Sequence, residues 1–210
     1  MKIITITTLL SVTYLSGCAQ DSKTNSTAER SVGGNCEGCE AVLDYGSKRL
    51  SWIDTLPDFQ DPGPKLEISG TIYERDGKTP AKDVILYIYH TDQAGLYPRK
   101  GKEDGSHGYI RGWIRTNADG NYKFYTLKPG AYPEGGNPAH IHPIIKEPGI
   151  KEYWIDEYLF RGDPFFTDAD VKRLEDRGGP GIIDPKPDSN GMLKAKRDII
   201  LGMNIPGYEE

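Results

Sequence analysis

The sequence predicts an all-β chain, an antiparallel β-sandwich with long loops and one short helix, on three observations. Short segments rich in β-branched, aliphatic and aromatic residues recur along it, among them 66–74, 84–91, 121–127 and 139–146. Turn formers separate them: with 25 Gly and 15 Pro, no long helical repeat has room to develop. One stretch, 167–177, carries a helix-start signature. A composition that is 36% hydrophobic and 27% charged over 210 residues is enough for one packed core without a metal or disulfide staple.

Residues 1–17 read as a leader. Lys2 precedes the apolar run 3–15, which is short for a membrane span and long enough for a signal sequence. The run ends in Leu15-Ser16-Gly17-Cys18, which resembles a bacterial lipobox. That resemblance implies cleavage before Cys18 and lipidation of its thiol. The mature chain would then be exported and lipid-anchored to a bacterial membrane, on the periplasmic side or the cell surface. The plainer alternative is an ordinary signal peptide with a chance cysteine. Residues 18–35, rich in Ser, Thr, Asn and Gly, read as a flexible tether. Residues 36–65, with Pro57, Pro62 and Pro64, are expected to form an irregular arm over the domain. Cys36 and Cys39 are candidates for a local disulfide in an oxidising compartment. A zinc site would need two more ligands nearby, and a thioredoxin-like motif would sit in a βαβ pattern.

The domain spans 66–210. Residues 66–74 are its first strand, and Arg75-Asp76-Gly77-Lys78 makes a hairpin-type turn because Asp-Gly supplies positive φ cheaply. Residues 84–91 read as a core strand. Residues 109–116, the turn Asn117-Ala118-Asp119-Gly120, and residues 121–127 read as the clearest hairpin. Pro129-Gly130 turns the chain again, and 139–146 and 153–160 follow as strands. Thr167 can cap the helix, with Asp170 completing a capping box. Residues 178–190 form a Gly/Pro-rich loop before a last strand over 192–203.

The net charge of −5, without a basic stripe, excludes nucleic acid as a partner. With only four His in the chain, His140-Ile141-His142 stands out. On a strand, residues i and i+2 share a face, so both imidazoles can reach one metal ion. Alone, such a pair is more often two solvated or core histidines.

Its context raises the metal reading. In order along the chain stand Ala94-Gly95-Leu96-Tyr97 after the core strand, Arg111-Gly112-Trp113-Ile114-Arg115-Thr116-Asn117, Lys128-Pro129-Gly130-Ala131-Tyr132-Pro133 and Asn137-Pro138-Ala139-His140-Ile141-His142. Together these resemble the motif series of the intradiol ring-cleavage dioxygenases, the family of protocatechuate 3,4-dioxygenase and catechol 1,2-dioxygenase, over roughly residues 66–160. The resemblance implies non-haem iron(III) held by Tyr97, Tyr132, His140 and His142, with Tyr97 leaving when substrate binds and Tyr132 staying. It implies a small aromatic diol and O₂ as substrates, with the ring opened between the two hydroxyl carbons to a muconate-type diacid. The residue types suit the ion, since iron(III) is hard and phenolate oxygen is an anionic donor. A bound cation can ionise a tyrosine whose free pKa is about 10.

The series also departs from the family. Asn137 stands where members usually carry an Arg beside the substrate, and Asn donates a hydrogen bond without charge. Arg111 is the candidate to replace that Arg in space, so Tyr97, Arg111 and Asn137 form the expected catalytic set. Glu157 aligns with a Gln of the catechol enzymes. Glu134-Gly135-Gly136 lacks the Arg with which protocatechuate enzymes hold the ring carboxylate, so a neutral catechol or larger polyphenol is expected. His90 is expected as a hydrogen-bonded structural residue, His107 as a solvated loop residue and Asp163-Pro164 as a turn. A non-catalytic β-sandwich binding module, transthyretin-like, is the competing reading, and a pure binding module has no reason to keep four iron ligands. A third reading is an iron-binding protein of the same fold with lost or altered turnover.

Overall fold

The computed structural model describes residues 29–101 and 104–208, so the leader, Cys18 and the first part of the tether lie outside the described residues. Two six-stranded sheets carry the fold. The first runs β1 (Ile53–Thr55), β5 (Asn121–Leu127), β2 (Lys65–Tyr73), β11 (Leu193–Lys196), β10 (Lys186–Pro187), with β12 (Ile199–Ile200) also on β2. The second runs β4 (Arg111–Arg115), β3 (Ile85–His90), β6 (His140–Lys146), β8 (Tyr158–Phe160), β9 (Ile182–Ile183), with β7 (Tyr153–Trp154) also on β6. The central ladders β2–β5, β3–β4 and β3–β6 are antiparallel, as expected for the sandwich. Parallel pairs were not expected, and they join the flanking strands: β1–β5, β11–β2, β12–β2 and β8–β9.

The period-two pattern of β2 explains its place. Leu66, Ile68 and Ile72 are fully buried and alternate with half-exposed neighbours. They meet Phe124 of β5, Leu86 and Ile88 of β3, and Ile141 and Ile145 of β6 in one apolar core. Each such side chain contributes about 1.5–3 kcal/mol by leaving water. β3 is buried on both faces, hence its unbroken apolar run. Its outer residues Ile85 and Tyr87 pack with Trp113 and Ile144 under Cys39, Ala41 and Val42.

The arm over 36–65 is therefore more regular than expected. Cys36 and Cys39 are joined in a disulfide, Gly38 between them adopts φ 75°, and a 3-10 turn follows at Cys39–Leu43. Trp113 pins the arm: its indole donates to the Ala41 carbonyl (3.1 Å) and its amide to Asp54 (3.0 Å). β1 then adds to the edge of the first sheet. The tether also ends sooner than expected. Arg30 bridges Ile150, Val32 is buried, and Gly33 donates to the Pro206 carbonyl at 2.8 Å.

The Asp76-Gly77 turn forms as expected: Gly77 donates to the Glu74 carbonyl (2.9 Å), Glu74 to that of Thr79 (2.7 Å) and Ala81 to that of Ile72 (2.8 Å), and Tyr73 pairs antiparallel with Pro80 before the chain crosses to the second sheet. The hairpin expected across 117–120 is corrected. The turn at 117–120 forms, with Asn117 Oδ1 accepting from Asp119 (3.1 Å) and Asn121 (2.9 Å). Yet β4 and β5 lie in different sheets, so the turn is a corner of the sandwich. Gly120, at φ 68°, sits where a Cβ would lie 2.5 Å from the Ile72 carbonyl. The strands expected over 153–160 and 192–203 are each split in two, and β9 and β10 arise within the expected 178–190 loop. The helix α1 (Asp168–Arg173) has the Thr167–Asp170 capping box but ends early. Beyond it, Glu175 donates its amide to Asp156 (3.1 Å) and the Arg177 guanidinium to the Gly33 (3.0 Å) and Trp154 (3.1 Å) carbonyls. Among the described residues no helix is long and apolar enough to cross a membrane.

One carboxyl ties the C-terminal turns to the sandwich. Glu147 accepts from Tyr153 (2.5 Å) and Tyr208 (2.7 Å), and burial raises its pKa despite those bonds. A raised folded pKa means that folding holds the proton. The contribution of this group is full below the unfolded carboxylate value of about 4.3 and declines as pH rises through the folded pKa. The stability of wild type relative to Glu147→Gln should therefore fall as pH increases across that window. Urea denaturation at stepped pH measures it; a difference that rises with pH would refute this assignment.

Candidate metal centre

Strand β6 places the two histidines. Ile141 points into the core and is fully buried, which turns His140 and His142 to the outer face of the second sheet. His142 lies opposite Tyr89 of β3, and Tyr89 opposite Arg111 of β4.

Tyr97 and Tyr132 come from the loops that leave β3 and β5, and those loops interlock. Gly130 donates its amide to the Asp92 carbonyl (2.9 Å), and the Thr91 hydroxyl donates to the Gly130 carbonyl (2.8 Å). Asp92 Oδ1 accepts from the amides of Ala94 (2.8 Å) and Leu96 (3.0 Å), shaping the turn before Tyr97. Gly95, at φ 76°, meets the Ala131 carbonyl so closely that no Cβ fits. A Cβ on Gly130 would lie 2.6 Å from the Gln93 carbonyl oxygen. The glycines two residues before each tyrosine are thus required by backbone contact between the loops.

The four side chains converge. The Tyr97 and Tyr132 hydroxyl oxygens are 2.9 Å apart, His140 Nε2 and His142 Nε2 2.9 Å, and His142 Nε2 and the Tyr97 oxygen 3.1 Å. Tyr132 packs edge-on against His140 at 5.1 Å. His140 Nδ1 lies 2.7 Å from the Pro138 carbonyl, which can only accept, so Nδ1 carries the proton and Nε2 of the neutral ring offers its lone pair to the centre. Two donor atoms that share an ion at about 2.1 Å and a right angle lie about 3.0 Å apart. The observed separations match that spacing. Among the described residues no group of three or more His, Cys, Asp or Glu could hold a metal ion, so a metal at this position depends on the tyrosines.

The electrostatics suit a cation. Burial, helped by the Tyr132 hydrogen bond, pushes the Tyr97 hydroxyl far above its usual pKa. Burial, with the neighbouring His140, His107 and His90, holds His142 well below its ordinary value. In the protein alone these two groups are therefore neutral at pH 7, and ionisation of Tyr97 calls for an added positive charge.

His107, expected in solvent, is buried instead. Its ring stacks on Tyr89 at 3.7 Å and 5°, Tyr89 stacks on His142 at 4.6 Å and 17°, and His107 Nδ1 contacts the Tyr87 hydroxyl at 2.9 Å. Burial, then Tyr132 and Glu157, pushes Tyr89 up to about 12. No local signal marks His107, which lies among Gly and Ser and is held by residues distant in the chain. Tyr89 was detectable only from its register against His142. His90 is buried between the Thr91 carbonyl and the Thr126 hydroxyl, both at 2.7 Å. Arg111 lies beyond Tyr89, 3.6 Å from Asp44 and 3.8 Å from Asp104, with its guanidinium 5.3 Å from the Trp113 ring centre. Asn137 is exposed in the turn before Pro138. A cleft of about 200 Å³ opens beside His142, lined by Tyr89, Trp154 and Glu157, and across from them by Asn35, Cys36 and Glu37. A wider groove of about 600 Å³ lies at the C-terminal turns and contains none of the four donors.

A two-sheet β fold presenting two tyrosines and two histidines to one point defines a class of candidate metalloprotein. The chain belongs to the dioxygenase family whose model, Dioxygenase_C, matches residues 51–179. It is 32% identical to catechol 1,2-dioxygenase 1 of Acinetobacter lwoffii over 178 residues, 74% of this chain and 55% of that protein. It is 28% identical to the protocatechuate 3,4-dioxygenase beta chain of Burkholderia cepacia, over 59% of this chain and 58% of that one. The chain thus spans about half the length of the curated relatives it matches. Among solved structures, the dioxygenase domain of a carbohydrate-binding fusion from Streptomyces sp. SirexAA-E superposes with a TM-score of 0.55 at 25% identity, over 73% of this chain and 90% of that one. An intradiol ring-cleavage dioxygenase from Tetranychus urticae shares the fold, with a TM-score of 0.54 at 21% identity over 73% and 87%.

Proposed function

We propose that Tyr97, Tyr132, His140 and His142 hold one iron(III) ion and that the chain cleaves a catechol-type diol between its hydroxyl carbons with O₂. The convergence of the four donor atoms at 2.9–3.1 Å carries the reading. Bound there, iron(III) supplies Lewis acidity and a template for a chelating diol.

The chain's own residues supply the rest. His140 is fixed by the Pro138 carbonyl with its lone pair inward. His142 is held by the Tyr89–His107 stack. Once displaced from the ion by substrate, the Tyr97 phenolate oxygen would be free to take a proton from the entering diol. Tyr132 remains the anionic donor. Arg111, engaged by Asp44 and Asp104, belongs to the support of the stack, and the exposed Asn137 contributes a hydrogen bond at most. Lipid anchoring at Cys18 on an exported chain is part of this reading and would bring the site to diols outside the cytoplasm.

The iron-loaded protein given catechol should consume one O₂ per catechol and release a ring-opened diacid. Oxygen-electrode traces with product mass measure both. Iron uptake without O₂ consumption would favour the inert iron-binding protein, and a different ring-opening position would overturn the intradiol assignment.

A further inference from the structure

The cleft beside His142 has a charge pattern that bears on substrate choice, provided that the site holds iron and a catechol as proposed. We infer that this cleft selects catechols whose side chain carries a positive charge, such as an amine, and disfavours those bearing a carboxylate.

The cleft has two walls. One is the second sheet, with Tyr89, His142, Trp154 and Glu157; the other is the arm, with Asn35, Cys36 and Glu37. Among the described residues its lining holds two carboxylates and no Lys or Arg. Glu157 is uncommitted to His142: its Oε1 stands 3.9 Å from Nδ1, beyond hydrogen-bond reach. Glu37 lies inside the loop closed by Cys36 and Cys39, so the arm cannot easily carry it away. Gly38 beside it abuts His107, where a Cβ would lie 2.7 Å from Nε2. The cations nearby are engaged outside the lining. Arg177 stacks behind Trp154, 3.3 Å from the ring centre, and bonds the Gly33 and Trp154 carbonyls. Arg111 faces Asp44 and Asp104 on the far side of the Tyr89 stack. The rings of Tyr89 and Trp154 add faces that attract a cation. The cleft adjoins the donors through His142, which lines it; on this proposal the ring substituent of a diol docked on the four donors reaches past His142 into this space, where a positive group gains two partners and a negative group meets two like charges.

The test uses the iron-loaded protein with three probes: catechol, 4-(2-aminoethyl)catechol and 4-(2-carboxyethyl)catechol. Calorimetry under anaerobic conditions gives Kd, and oxygen uptake gives kcat/KM. The amine should bind at least ~10-fold more tightly than the carboxylate, and Glu157→Gln and Glu37→Gln should each reduce that ratio by roughly 3- to 10-fold, less at high salt. A ratio near one, or a ratio unmoved by both substitutions, while unsubstituted catechol is still bound and cleaved, would overturn the charge selection and leave the iron reading standing. Failure to bind or cleave unsubstituted catechol would overturn the reading beneath it and the selection with it.

Discussion

Tyr132→Phe is expected to lower iron(III) affinity by on the order of 10²-fold or more, above the 10–100-fold loss typical of a lost supporting partner. The substitution removes an anionic oxygen and leaves the ring. The edge-on contact of that ring with His140 is a matter of shape and should survive. The apo fold should change little, since the side chain is half-exposed and its hydroxyl bonds to Tyr97 at 2.9 Å. Competition with a calibrated chelator gives the affinity, and thermal unfolding of the metal-free protein checks the fold. Tyr97→Phe should weaken binding less, if Tyr97 is the ligand that gives way to substrate. Equal affinity for wild type and Tyr132→Phe would remove Tyr132 from the donor set.

Gly95→Ala is the second large effect. Positive φ at position 95 costs an alanine about 1–2 kcal/mol. Its Cβ would also collide with the Ala131 carbonyl, a backbone atom that cannot rotate away, and overpacking of this kind adds about 1–3 kcal/mol. The two loops must then separate, and with them Tyr97 and Tyr132. Gly135→Ala is a close control, because Gly135 has the same φ of 76° with nothing within 4 Å. It should carry the conformational cost alone, keep the tyrosines in place and retain iron. Denaturant unfolding and metal content of both variants separate strain from collision. If the two behave alike, the interlocked loops are not what positions the tyrosines.

These two positions also illustrate what the sequence reveals. The strand bearing His140 and His142 is legible because side-chain alternation is local, and β5 falls where its apolar pattern places it. The turns at 75–78 and 117–120 are legible for the same reason, since Asp-Gly and Asn chemistry acts within four residues. Their partners are not. The 117–120 turn looks like a hairpin, and only the packing of Gly120 on the Ile72 carbonyl reveals a corner between sheets. β1 is three residues of mixed burial in a proline-rich stretch, and it becomes a strand because β5 offers a free edge. The helix over 167–177 has a readable start, but its end is set by Asp156, Gly33 and Trp154 from elsewhere. His107 and the second wall of the cleft depend on the disulfide turn folding back over the sheet, a contact with no local signature. The tyrosines were legible only through the ordered motif series, since 13 Tyr offer no physical reason to choose two.

The most direct test of the four-donor centre is a visible-absorption titration of the metal-free protein with iron(III). Two phenolates on one iron(III) ion should give a red-brown charge-transfer band that saturates at one iron per chain and is lost or strongly shifted in Tyr132→Phe. A protein that stays colourless with bound iron, or a band unchanged in Tyr132→Phe, would contradict it.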